Sequence, residues 1–142
     1  MAALTTDRNT PSRLGDMREG PVAANVRIHK GAMLMRDVDG MLRPGATATG
    51  CVGVGRAEEG VDNTGGAAGD ATIKWRAGVF LMANAEGDAV AAGDEDAACY
   101  IVDDQTVAAS DGAGTRSKAG VVDEATSEGV WVRFDAALAR AV

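Results

Sequence analysis

The sequence predicts an all-β protein, a small β-sandwich or barrel with an extended N-terminal arm. About eight short segments of strand-like composition follow one another at close spacing, and glycine-rich turns separate them. No linker divides residues 22–142, which we therefore expect to form a single β domain. The arm is predicted over residues 1–21.

The first 21 residues show neither helical nor strand periodicity. They are polar, and Pro11 and Pro21 favour extended backbone before them. Their arginines can form charge-assisted hydrogen bonds with a partner, and their apolar side chains can fill shallow pockets. The alternative is a passive, disordered terminus. The arm residues expected to contact a partner are Leu4, Arg8, Pro11, Arg13, Leu14, Met17 and Arg18.

Apolar and polar residues alternate in several segments of the body, as in half-buried strands. Asp39-Gly40 is a hairpin turn signal. Gly53 and Gly55 lie within a strand-like segment and are expected where another backbone approaches closely. The tail 135–142 can add a short helix. The predicted strands are residues 24–29, 32–36, 41–43, 51–56, 71–80 with a bulge at Gly78, 99–102, 106–108, 119–122 and 129–134.

Composition and charge narrow the expected partners. The net charge is −7 and the chain has no basic stripe to follow a phosphate backbone, so we expect no nucleic acid. Residues 1–43 carry a net charge of +2 and residues 44–142 a net charge of −9. This asymmetry is either ordinary scatter of charged residues along the chain or a sign that the N-terminal third contacts a different partner surface from the rest. Without an export signal or a membrane-length apolar run, we expect a cytoplasmic origin and no membrane partner.

The apolar residues are mostly small. Hydrophobic residues make up 46% of the chain, but only two Phe, two Trp and one Tyr are among them. A core of Ala and Val buries little area per residue, and apolar burial stabilises by about 25 cal/mol per Å². We therefore expect modest stability and a gain from association with a partner or with other copies of the chain.

No catalytic centre or metal site is recognisable in the sequence. His29 is the single histidine, and only Cys99 could act with it as a nucleophile, without support from neighbouring residues. With Cys51 these residues are too few for a tetrahedral zinc site. Each cysteine is better interpreted as a small, buried hydrophobic residue with a free thiol. We expect no enzymatic activity, no cofactor and no metal.

Three stretches of the chain carry a family resemblance that covers most of its length. The stretches are Asp7-Arg8-Asn9-Thr10-Pro11 with Gly15-Asp16; Ala48-Thr49-Gly50 through Arg56-Ala57, Val61-Asp62-Asn63 and Arg76-Ala77-Gly78-Val79-Phe80; and Cys99 through Val107, Thr115-Arg116-Ser117, Ala119-Gly120-Val121-Val122 and Val130-Trp131-Val132. They resemble the small capsid cement, or head decoration, proteins of tailed bacteriophages and related prophages.

The resemblance implies a structural virion protein that is made in the host cytoplasm and binds the outer surface of a phage capsid. The implied partners are the major capsid protein and copies of the chain itself, which we expect to form a homotrimer on the capsid; proteins of this kind often form trimers, although dimers and monomers also occur. An extended arm of 20 residues reaches about 65–70 Å, enough to cross onto a neighbouring subunit. Two alternatives remain: another virion β domain, tail-tube or fibre-associated, and a cytoplasmic small-ligand-binding β-barrel.

Overall fold

A computed structural model describes residues 2–11, 13 and 15–142. These residues form twelve strands and one short helix, and no helix among them is long and apolar enough to cross a membrane. The elements are β1 (Met17–Pro21), β2 (Arg27–Ile28), β3 (Met33–Arg36), β4 (Leu42–Pro44), β5 (Val52–Ala57), β6 (Val61–Asp62), β7 (Thr72–Arg76), β8 (Gly78–Asn84), β9 (Ala98–Ile101), β10 (Thr106–Ala108), β11 (Lys118–Thr126), β12 (Gly129–Phe134) and α1 (Ala136–Ala141).

Five strands in the second half of the chain close into a barrel. β11 pairs with β12, and β8, β10 and β9 follow in that order until β9 pairs again with β11. All of these pairs are antiparallel except β8 with β10, which is parallel. Closure gives each of these strands at least two neighbours, although β10 meets β8 only at Ala83 and Asn84.

Five further strands extend from the barrel in the order β4, β3, β5, β7 and β1. β5 joins this outer sheet to β11 through one parallel pair, Val52 with Lys118. β1 pairs antiparallel with β7 and lies at the end of the order. β2 and β6 form a separate two-stranded sheet. The all-β prediction is therefore confirmed. Of the two predicted architectures, a sandwich and a barrel, the structure contains the barrel.

The protein has two apolar cores, and β3 contributes to both. Met33 and Met35 belong to the barrel core, whereas Leu34 between them belongs to the core of the outer sheet. All three are buried, because successive side chains of a strand point to opposite faces and both faces are covered here. The barrel core also contains Met82, Val90, Cys99, Ile101, Val107, Ala119, Val122, Val130, Val132 and Phe134.

Glycines allow β5 to lie against its neighbours. A Cβ atom on Gly53 would lie 2.1 Å from the carbonyl oxygen of Ala119, and one on Gly55 would lie 2.0 Å from that of Arg76. Neither distance is compatible with a side chain. The prediction that these glycines lie where another backbone approaches closely is confirmed.

The predicted turn at Asp39-Gly40 closes the hairpin of β3 and β4. Gly40 has a φ of +82° and donates to the carbonyl of Asp37 at 3.0 Å. The Asp37 carboxylate accepts from the backbone of Met41 at 3.0 Å and from Arg43 at 2.7 Å. Burial raises the pKa of Asp37, but these hydrogen bonds outweigh it and the pKa lies below its usual value.

Residues 71–80 form two strands rather than one strand with a bulge. Ala77 separates β7 in the outer sheet from β8 in the barrel, and β8 begins at Gly78 with a φ of +144°. Local alternation cannot show that these consecutive strands pair with different neighbours, because the side chains alternate in both. After β12, whose last residue Phe134 pairs with Gly78, the predicted tail helix is present as α1. Asp135 caps this helix by accepting from the backbone N–H of Leu138 at 3.1 Å.

The last five residues of the predicted arm, Met17–Pro21, form strand β1 of the outer sheet. The segment lacks apolar alternation, and its backbone pairing with β7 holds it in place. Just before it, the Ala77 amide donates to the carbonyl of Asp16 at 3.1 Å. Residues 2–11 are exposed and belong to no helix or strand. We call the part of the predicted arm that precedes β1, up to residue 16, the extended segment.

Candidate functional site

The predicted contact residues near the start of the chain project from the extended segment. Leu4, Arg8 and Pro11 are exposed, and the Leu4 side chain is 71% exposed. Arg8 contacts only its own segment by hydrogen bonding, with Nη1 donating to Oγ1 of Thr10 at 3.4 Å in the described residues. Leu14 lies outside the described residues. These side chains are available to a partner.

The other three predicted residues come together at the base of the segment. Arg13, Met17, Arg18, Glu19 and Lys74 line a surface groove of about 470 Å³, which we call the arm-base groove. Three of its side chains are cationic and one is acidic, although the whole chain carries a net charge of −7. The groove is therefore suited to a partner surface that carries acidic side chains.

Sequence reasoning missed two residues of the arm-base groove. Glu19 and Lys74 are opposite each other in the β1–β7 register. The alternation of residues 72–76 placed Lys74 on the polar face of its strand, but nothing in the sequence paired that strand with residues 17–21. The Glu19 carboxylate is held by Oγ1 of Thr72, which donates to it at 3.0 Å.

The groove lies beside an open strand edge. Val22, just after β1, donates its N–H to the carbonyl of Ala71 at 2.9 Å, so its backbone groups point toward the chain segment of β7. Alternate residues of an antiparallel strand turn their backbone groups to the same side. Met17 and Glu19 therefore direct theirs away from β7, and Pro21 has no N–H to offer. Within the described residues no strand pairs with this outer edge.

Two contacts show how closely β1 lies on the outer sheet. A Cβ atom on Gly20 would lie 2.9 Å from Cδ1 of Leu42 and 3.8 Å from Nε1 of Trp75. Glycine thus lets the strand lie directly over these side chains. The Trp75 side chain is 7% exposed, and its Nε1 has no acceptor among the described residues. On the outer edge, Nη1 of Arg18 donates to the carbonyl of Met17 at 2.8 Å, so this one acceptor of the edge is already occupied.

A group of ion pairs lies where the extended segment leaves the body. Nε of Arg76 lies 3.2 Å from Glu58 and 3.6 Å from Asp16. Arg56 lies 2.8 Å from Glu58, and its guanidinium stacks on the ring of Phe80, 4.2 Å from the centroid. Asp16 thus contacts the outer sheet through a half-exposed ion pair that contributes little stability, and Arg56 links Glu58 to Phe80 of β8.

His29 and the cysteines occupy different environments. His29 is exposed and lines a shallow groove that includes Asp104. Cys99 is buried in the barrel core, and burial raises its pKa to about 12. Cys51 is partly buried, which raises its pKa as well. Both thiols are free. Among the described residues no hydrogen bond joins His29 to either thiol.

The acidic runs serve as turn caps. Asp94 accepts from the backbone N–H of Ala91 at 2.8 Å, and Asp103 accepts from that of Gln105 at 2.9 Å. In the part of the chain that the structure describes, no three His, Cys, Asp or Glu residues are grouped as a metal site would require. The interior of the barrel is occupied by packed apolar side chains, so the surface grooves are the places where a partner can bind.

Searches against protein-family models, curated proteins and solved structures found no match for this chain. The arm-base groove and the open edge of β1 are therefore interpreted from their own geometry and chemistry.

Proposed function

We propose that the chain is a structural virion protein that binds the outer surface of a phage capsid and stabilises the assembled shell. Its partner is the major capsid protein, and copies of the chain associate on the shell, most often as a homotrimer. It acts as a cement or decoration protein, without catalysis or a cofactor, on the exterior of the capsid.

The arrangement at the base of the extended segment carries this proposal. The segment leaves the body beside the open edge of β1 and the cationic arm-base groove, both of which lie at the end of the outer sheet. A strand from a partner can pair with that edge by backbone hydrogen bonds, while the groove contacts its acidic side chains. Binding at this edge and this groove leaves the two apolar cores of the body buried.

The physical role follows from binding an assembled surface. Residues 2–16 reach about 50 Å when extended, so one copy can contact two neighbouring capsid subunits. A ligand that bridges a junction binds only the closed shell, and so it stabilises that state by linkage. Several arms from one oligomer act multivalently and raise the apparent affinity without new contacts.

The packed barrel supports this role over that of a small-ligand carrier. Fully buried side chains such as Phe134, Ile101 and Val107 fill the space that a ligand would need. A tail-tube role generally calls for long strands and a stacking loop. β11, with nine residues, is the longest strand described here, and most of the others have six residues or fewer.

Co-sedimentation tests the proposal. Purified protein is mixed with empty shells assembled from the major capsid protein of the same virus, and stoichiometric co-sedimentation is expected. The double variant Arg13→Glu with Lys74→Glu should reduce binding by a large factor. The control Arg27→Glu with Lys30→Glu makes the same charge change on exposed residues away from the groove and should bind normally.

Three results would count against different parts of the proposal. Absence of stoichiometric binding to intact shells would remove the cement role. Equal binding by both double variants would remove the arm-base groove from the contact and leave the cement role in place. A capsid reconstruction with a twofold or monomeric footprint would refute the trimer alone.

A further inference from the structure

A second groove lies at the opposite end of β5 from the arm base. It has a volume of about 450 Å³ and runs between the start of β5, the loop 111–117 and α1. We call it the C-terminal groove. β5 begins at Val52 in this groove and ends at Ala57, which pairs with Trp75 near β1. Five residue steps of about 3.3 Å make β5 roughly 16 Å long, and the two sites are separated by this distance along the strand direction.

Cationic side chains from three elements converge on the C-terminal groove. Arg116 comes from the loop, Lys118 from the start of β11 and Arg140 from α1. Asp111 is the acidic residue in the lining. The lining thus has three cationic side chains and one acidic side chain, although residues 44–142, which contain it, carry a net charge of −9.

The three cations differ in how far they are already neutralised. Nη1 of Arg116 lies 2.8 Å from the Asp88 carboxylate, and its buried Nε has no acceptor among the described residues. Lys118 donates to the carbonyl oxygen of Val142. Arg140 is exposed and forms no ion pair within the described residues. Arg140 therefore has the most charge available to a ligand.

We propose that the C-terminal groove binds a protein segment carrying Asp or Glu side chains, with the guanidinium of Arg140 as its main contact. The planar guanidinium offers paired donors that match a carboxylate, and Lys118, which also donates to Val142, is a second cationic group in the lining. A volume of about 450 Å³ is in the range of sites that hold ligands far larger than a single small anion. The inference does not depend on the capsid role.

A peptide titration of the full chain tests this site. The probe is an acetylated and amidated hexapeptide of alternating Asp and Glu, followed by amide shifts in a nitrogen-labelled sample at low salt. Shifts are expected at Cys51, Lys118 and Arg140. The variant Arg140→Gln should weaken binding about tenfold and Arg140→Lys should restore part of it. The control Arg27→Gln removes an exposed arginine elsewhere and should bind as the parent does.

A variant that binds the peptide more tightly distinguishes a specific effect on the groove from a general loss of structure. Asp111→Asn removes the acidic charge of the groove with almost no change in shape. It should tighten peptide binding about two- to threefold, because one repulsive charge a few ångströms away is removed in a largely aqueous setting. A folding defect would not improve binding.

Four results would overturn the inference. These are shifts confined to the arm-base groove, unchanged binding by Arg140→Gln, looser binding by Asp111→Asn, and inorganic phosphate binding as tightly as the peptide. Sedimentation of the free protein provides a further check. If the protein self-associates through this groove and Arg140→Gln dissociates it, the occupant is a second copy and not a separate acidic partner.

Discussion

Gly53→Ala should strongly destabilise the body through a single methyl group. Gly53 lies where β5 meets β11, and the added Cβ would lie 2.1 Å from the carbonyl oxygen of Ala119. Its φ is outside the left-handed region, so the substitution adds no backbone strain of that kind. The steric contact is therefore the cause under test.

The magnitude follows from the distance that has to be recovered. A carbon and a carbonyl oxygen in contact need more than about 3 Å, so the two backbones have to separate by about 1 Å. Forcing extra atoms into a packed interior costs typically 1–3 kcal/mol, and we expect about 3 kcal/mol because a backbone atom has to move. For a chain of 142 residues, 1 kcal/mol corresponds to about 3 °C, which gives a Tm about 10 °C lower.

Urea and thermal unfolding of matched variants measure the effect. Gly87→Ala is the control, because a Cβ there meets no atom of the described residues within 4 Å and the φ of Gly87 is not positive. That variant should be unchanged or more stable by up to about 1 kcal/mol. A Tm for Gly53→Ala within about 2 °C of the parent would refute the close approach of β5 and β11.

The remaining predictions concern the arm, the barrel core, the β3–β4 turn and the thiols. Deleting residues 2–15 keeps β1 and should leave the Tm within about 2 °C of the parent while capsid co-sedimentation falls sharply; equal binding would make the arm a passive tail. Phe134→Ala removes a ring that is 1% exposed and should cost about 3–5 kcal/mol in urea unfolding; a loss below about 1 kcal/mol would contradict the packed barrel. Asp37→Asn should cost about 1–3 kcal/mol at neutral pH. Because the folded pKa of Asp37 is lowered, its contribution is present above the unfolded pKa and lost as pH falls through the folded pKa; a difference between parent and variant that persists at pH 2 would contradict this. Cys99 should resist a thiol reagent at pH 8 in the folded protein, since its pKa is raised to about 12, whereas Cys51 should react slowly; two equally fast thiols would show that the barrel opens.

Much of the fold was predictable because it depends on local pattern. Alternating residues in 129–134 placed Val130, Val132 and Phe134 on one face, and all three are buried in the barrel core. Asp39-Gly40 marked a hairpin because few residue pairs adopt the required backbone. The function predicted from the family resemblance stays a prediction.

The arm-base groove could be predicted only in part. Arg13, Met17 and Arg18 were expected to contact a partner because they are cationic or apolar residues in a polar, proline-bracketed segment. Their meeting with Lys74 depends on a pairing between residues more than fifty positions apart. Neither segment contains a signal for the other, since backbone hydrogen bonding between strands is largely independent of side-chain identity.

The sequence alone determined the all-β class, the positions of the main turns and the glycines of β5, because backbone conformation and side-chain alternation are local properties. Only the tertiary structure decided that five strands close into a barrel, that β3 serves two cores and that residues 17–21 join a sheet. It also brought Arg116, Lys118 and Arg140 to one groove. These features arise from contacts between distant segments, and their energies depend on the packing of the whole chain.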